Sequence, residues 1–212
     1  MGKKHTKSSK KGGNIFDSLG LEQTWTKTSL AIHDKYKEWA VGRAIICRTA
    51  LDPMVKTIMN VLSVGEFNKK VEELGYDKLF HLKLVLELSF NGEFAFLVWE
   101  KVDVVTLRDA TDADFVVDSS MPATIPQRTL GDFVHNTEVE MGLRNFFDYN
   151  AASNNCQVFL IASLRANNAL TQKNEVFINQ NVSRVFNAIN SFTAKVSNTV
   201  TDIAAFFHSL VN

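Results

Sequence analysis

The segment HLKLVLELSFNGEFAFLVWE, residues 81–100, constrains this chain more than any other. Leu82, Leu84, Leu86 and Leu88 alternate with other residues, so a strand puts all four on one face. Asn91-Gly92 follows, a pair that tolerates the two positive-φ positions of a tight hairpin turn. FAFLVWEKVDVVTL then supplies one or two further strands. The expected fold class is α+β, a small antiparallel sheet whose apolar face is packed against helices.

Helical spacing flanks the hairpin. Leu30, Tyr36, Trp39, Ala40, Ile45, Ile46, Val55, Ile58, Met59 and Leu62 recur at helical intervals, interrupted by Pro53. The pattern predicts two helices with a break at Asp52, an N-cap with proline at the first helical position. Phe67 to Leu74 predicts a short helical turn closed by Gly75. Residues 109–128 are acidic and dotted with proline, and read as a loop. Thr129-Leu130-Gly131-Asp132-Phe133 opens a helix running towards Gly142, and Asn145 to Tyr149 forms a short aromatic connector. From Glu175 to Asn212 there is no proline or glycine, and apolar residues recur every three or four positions. That predicts one long amphipathic helix, or two in line. Its polar face is Asn, Ser and Thr rather than Lys and Arg, which suits a protein partner better than a membrane surface.

Charge divides the chain. The first 13 residues, MGKKHTKSSKKGG, carry five lysines and no acid, leaving 18 basic residues against 23 acidic ones elsewhere. The body is thus net acidic and unsuited to specific nucleic-acid recognition, while the flexible arm suits phosphates or a membrane surface. Gly2 with Thr6 also fits the N-myristoylation pattern, a candidate lipidation site. Two cysteines make no disulfide framework, and no metal-ligand spacing occurs. No run reaches the about 18 apolar residues of a membrane span, and the start lacks a signal-peptide core. A cytoplasmic setting is expected, with virion or peripheral-membrane association as variants. The expected organisation is an arm at 1–13, a helical region at 14–74, a core at 75–170 and a C-terminal helix at 171–212.

The chemistry centres on SNNCQVFLIASL. If Asn154 or Asn155 caps the helix, Cys156 falls in its first turn, where unpaired N–H groups and the helix dipole stabilise a thiolate. A thiolate nucleophile needs a base and the base an orienting partner. Of the five histidines, His5 lies in the arm, His33 and His135 in helical stretches, and His208 near the C-terminus. His81 instead opens a strand, where a side chain can point off the sheet. Glu100 on the next strand, with Asp103 behind it, is a candidate orienter. A buried structural cysteine is the competing reading for Cys156.

Tyr149, Asn155, Cys156 and Phe159 stand in the pattern Y-x6-C, with asparagine before the cysteine and phenylalanine three residues after it. This resembles the Y…NCEHF motif of lecithin:retinol acyltransferase-like proteins, a circularly permuted branch of the NlpC-type papain-like fold. In that branch the catalytic histidine precedes the cysteine, at a strand start in a small antiparallel sheet; FHLKLVLEL and LVWEKVDVV look like that strand and its successor. The chain is also similar to papain-like proteins of large DNA viruses. The resemblance covers roughly Gly75 to Asn168, and Gln157 and Val158 stand where the motif has Glu and His.

The resemblance implies a permuted papain-like core in which Cys156 attacks an acyl or peptide carbonyl, His81 moves the proton and Glu100 holds the imidazole. Tyr149, Asn155 and Gln157 would support the oxyanion, and neither metal nor organic cofactor is required. The expected activity is that of a thiol hydrolase or acyltransferase acting on an amide, thioester or lipid ester. The alternative is a structural or interaction protein, such as a virion component, built on an inert papain-like scaffold and docking through its C-terminal helix.

Overall fold

The computed structural model describes residues 25–50, 80–102, 104–149 and 154–179. The arm with Gly2 and His5, the stretch around Pro53, the turn at Phe67–Leu74, Asp103 and the chain after residue 179, with His208, lie outside them.

The predicted hairpin organises a five-stranded antiparallel sheet. Strand β2 (Phe80–Phe90) turns through Asn91 and Gly92 into β3 (Glu93–Lys101), with φ of 49° and 86° at the two turn residues. Those positive values explain the pair: glycine accepts them freely and asparagine better than most residues. Strand β4 (Val105–Asp109) continues the meander. With β1 (Ala40–Ala50) and β5 (Ser119–Thr129), the order across the sheet is β4-β3-β2-β1-β5, and every pairing is antiparallel.

Two expectations are corrected. Helix α1 (Lys27–Tyr36), capped by Thr26, ends early, and Ala40–Ala50 is strand β1 rather than more helix. The sequence AVGRAIICRTA explains this: Val41, Ile45, Ile46 and Thr49 favour a pleated strand, and adjacent isoleucines fit either periodicity. Gly42 sits where the register slips between Val41 and Arg43, a bulge. The supposed loop at 109–128 holds a 3₁₀ turn (Asp112–Phe115) and the edge strand β5. Pro122 and Pro126 fit there because an edge strand pairs on one side only.

Among the described residues, four more helices follow or flank the sheet. Helix α2 (Leu130–Met141) starts as expected at Thr129, whose hydroxyl accepts from the Asp132 N–H while the Asp132 carboxylate accepts from Thr129 N–H. The aromatic connector forms a short helix, α3 (Leu143–Phe147), followed by α4 (Cys156–Ala166) and α5 (Gln172–Ile178).

Leu82, Leu84, Leu86 and Leu88 are all fully buried, together with Leu97, Trp99, Phe133, Phe146, Phe159 and Leu164. Trp99 is central: its ring lies 5.0 Å from Phe159, 6.0 Å from Phe146 and 6.0 Å from Phe133. Its indole N–H donates to Ser163 Oγ at 2.9 Å, so a large ring is buried without an orphaned donor. This contact fixes α4, and hence Cys156 at its start, against the sheet.

Candidate active site

Asn155 settles which asparagine caps α4. Its Oδ1 accepts from the N–H groups of Gln157 at 3.0 Å and Val158 at 3.3 Å. Cys156 is therefore the first helical residue, half-exposed, at the positive end of the helix. Gln157 is buried behind it, and Tyr149 stands half-buried at the end of the preceding described segment.

Asn154 does different work. Its amide donates to the carbonyls of Asn145 at 2.8 Å and Asp148 at 2.6 Å, while its Oδ1 accepts from Lys101 Nζ at 3.3 Å. Lys101 is wholly buried and also donates to the Asn145 carbonyl at 2.6 Å. Burial pushes its ammonium down to about 8 against the opposing pull of Asp148. One buried cation thus ties β3, α3 and the approach to Cys156 together.

Strand register brings the imidazole and carboxylate together. Glu100 lies directly opposite Lys83, so His81 is its diagonal neighbour two residues along β2. Diagonal pairs on one face stand within reach of long side chains, and His81 Nε2 meets Glu100 Oε2 at 2.8 Å. The two side chains are 26% and 11% exposed. With Nε2 engaged by Glu100, Nδ1 is the ring nitrogen left for another partner, and Cys156 lies near enough to act on the imidazole electrostatically. Burial alone would lower the imidazolium pKa; Cys156 and then Glu100 outweigh it and raise it to about 10. Burial likewise acts to raise Glu100, but His81, then Arg108 and Lys83, hold it below its ordinary value.

The other sequence candidates lie apart from this pair. Cys47 is buried on β1, its thiol pushed up by burial, the opposite of what a nucleophile needs. His33 stacks on Trp25 at 6.0 Å from α1, and His135 lies in α2. Among the described residues no group of His, Cys, Asp and Glu could hold a metal ion, and no helix is long and apolar enough to cross a membrane. A groove of about 550 Å³ is lined by Arg48, Met121, Gln172, Lys173, Val176 and Phe177, and its lining includes neither Cys156 nor His81.

Residues that sequence reasoning missed surround the pair. Lys101 carried a signal, since alternation along LVWEK puts it on the buried Leu97–Trp99 face. Arg108 and Asp114 carried none, because their partners are fixed only by sheet register and by the 3₁₀ turn. No protein-family model, curated protein or solved structure matches this chain.

Proposed function

We propose that this chain is a cysteine hydrolase or acyltransferase on a permuted papain-like core, acting on an amide, thioester or lipid ester. The observation that carries the reading is the His81 imidazole bonded to Glu100, close to a cysteine that starts a capped helix. In the forward step the Cys156 Sγ, as a thiolate whose proton already rests on His81, attacks the carbonyl carbon. The Cys156 N–H, in the first turn of α4, would donate to the developing oxyanion. Collapse breaks the bond to the leaving group, which takes the proton from His81 and departs. Water or an acceptor alcohol or amine, deprotonated by His81, then attacks the thioester and releases Cys156. Glu100 keeps the imidazole oriented throughout.

The test is to trap the acyl-enzyme. Incubation with activated amides, thioesters and lipid esters, followed by intact-mass and peptide mass spectrometry, should place an acyl group on Cys156 and none on the Cys156→Ala protein. A folded protein that takes up no acyl group from any class would refute the proposal.

One observation favours a second reading. Phe94, Phe96, Phe115 and Val116 are 68%, 41%, 45% and 79% exposed, and Phe96 and Phe115 stack edge-to-face at 5.8 Å. An exposed apolar cluster of this kind suits an interaction protein on the same scaffold. Failure of acylation together with stable protein capture through this cluster would establish it.

A further inference from the structure

Glu100 has two carboxylate oxygens, and His81 occupies only one. Oε1 faces Arg108 Nη2 at 3.5 Å. Arg108 is not free to wander: its Nη1 and Nη2 donate to Oδ2 and Oδ1 of Asp114, each at 2.7 Å. Such a two-pronged, charge-assisted grip fixes a guanidinium plane. Asp114 is almost fully buried and is held in turn by Lys83 Nζ at 2.7 Å, Thr111 N–H at 2.9 Å and the Thr111 hydroxyl at 3.0 Å. The chain of contacts runs from a 3₁₀ turn through β4 to the carboxylate on β3 that holds the imidazole. It uses four charged side chains, none of which the proposed chemistry needs beyond Glu100.

We propose that Arg108, locked by Asp114, is a positioning residue: it anchors the second oxygen of Glu100 so that the first stays on His81. This rests on the reading of Cys156 and His81 as nucleophile and base. Among the described residues, Cys156 from α4 and Glu100 from β3 act on His81 directly, and Lys83 on its own strand, Arg108 from β4, Asp114 from the 3₁₀ turn and the buried Cys47 from β1 make up the charged and titratable groups behind them. As a bare positive charge Arg108 opposes protonation of His81. As the anchor of Glu100 it favours protonation. The two roles carry opposite signs, and that difference makes the proposal testable.

The experiment follows the His81 imidazole titration by NMR in the full chain, with Arg108→Met, Arg108→Lys, Glu100→Gln and the Arg108→Met/Glu100→Gln double variant. Arg108→Met should lower the His81 midpoint by about one pH unit or more. Arg108→Lys keeps a counter-charge for Asp114 but loses the fork, and should lower it by less. If Arg108→Met fails to fold, Arg108→Lys carries the test. In the Glu100→Gln background, removing Arg108 should produce no further drop, because the group it positions is gone. A midpoint that rises or stays unchanged, or one that falls equally in the Glu100→Gln background, overturns the proposal. Alkylation of Cys156 by iodoacetamide in the same samples separates the two ideas. An unreactive Cys156 with midpoints behaving as expected removes the nucleophile and leaves Arg108 positioning Glu100.

Discussion

At the scale of single residues, His81 decides what the site can do. Its folded-state pKa stands at about 10 against an ordinary 6.5, because Cys156 and Glu100 overcome the opposing effect of burial. The imidazolium therefore persists through neutral pH, and the His81 imidazole followed by NMR should titrate with a midpoint near 10. Glu100→Gln removes a charged acceptor and should move that midpoint towards 6.5, which the same NMR titration would show. The stability linkage has the matching sign. A raised pKa gives stabilisation that is fully present below 6.5 and is lost as pH climbs through about 10. The stability gap between the wild type and His81→Gln, measured by urea unfolding, should therefore shrink over that interval.

At the scale of elements, the helix N-terminus at Cys156 depends on Asn155. Replacing it with alanine removes the acceptor for two first-turn N–H groups and should cost about 1 kcal/mol, read from thermal melts. Cys156 alkylation should slow as well, since the helix start that holds the sulfur frays. This much was legible in the sequence: NNC ahead of VFLIASL marks a capped helix, and HLKLVLEL with NG marks a hairpin. Strand β1 was not legible as a strand, because the Ile45-Ile46 pair fits both periods and only cross-strand partners choose between them. Strand β5 was obscured by prolines, which the interior of a sheet would exclude and its edge accepts. His81 and Glu100 could be named as candidates, but their meeting follows from register, in which Glu100 faces Lys83.

At the scale of the whole molecule, the sheet has two differently built faces. One carries the leucines and Trp99 under α4. The other carries His81, Lys83, Glu100 and Arg108, closed by Asp114 from the 3₁₀ turn. The Arg108 guanidinium, with further help from Lys83 and Thr111, holds the Asp114 carboxyl well below the usual carboxylate range. A depressed pKa gives stability that is present above about 3.9 and lost as pH falls through the folded value. Asp114→Asn takes from Lys83 its ion-pair partner and from Arg108 its two-pronged grip, and should cost about 3 kcal/mol at neutral pH. That deficit should narrow in acid, below about pH 4, when followed by urea unfolding. At the centre of the molecule's chemistry, Cys156 is a nucleophile because His81 activates it. That activation is tested most directly by the rate of Cys156 alkylation at pH 7 in wild type and in His81→Ala, resolved by peptide mass spectrometry. Cys156 should label rapidly and buried Cys47 not at all, and the Cys156 rate should fall roughly 100-fold or more without His81. Equal rates in the two proteins would contradict that role for His81.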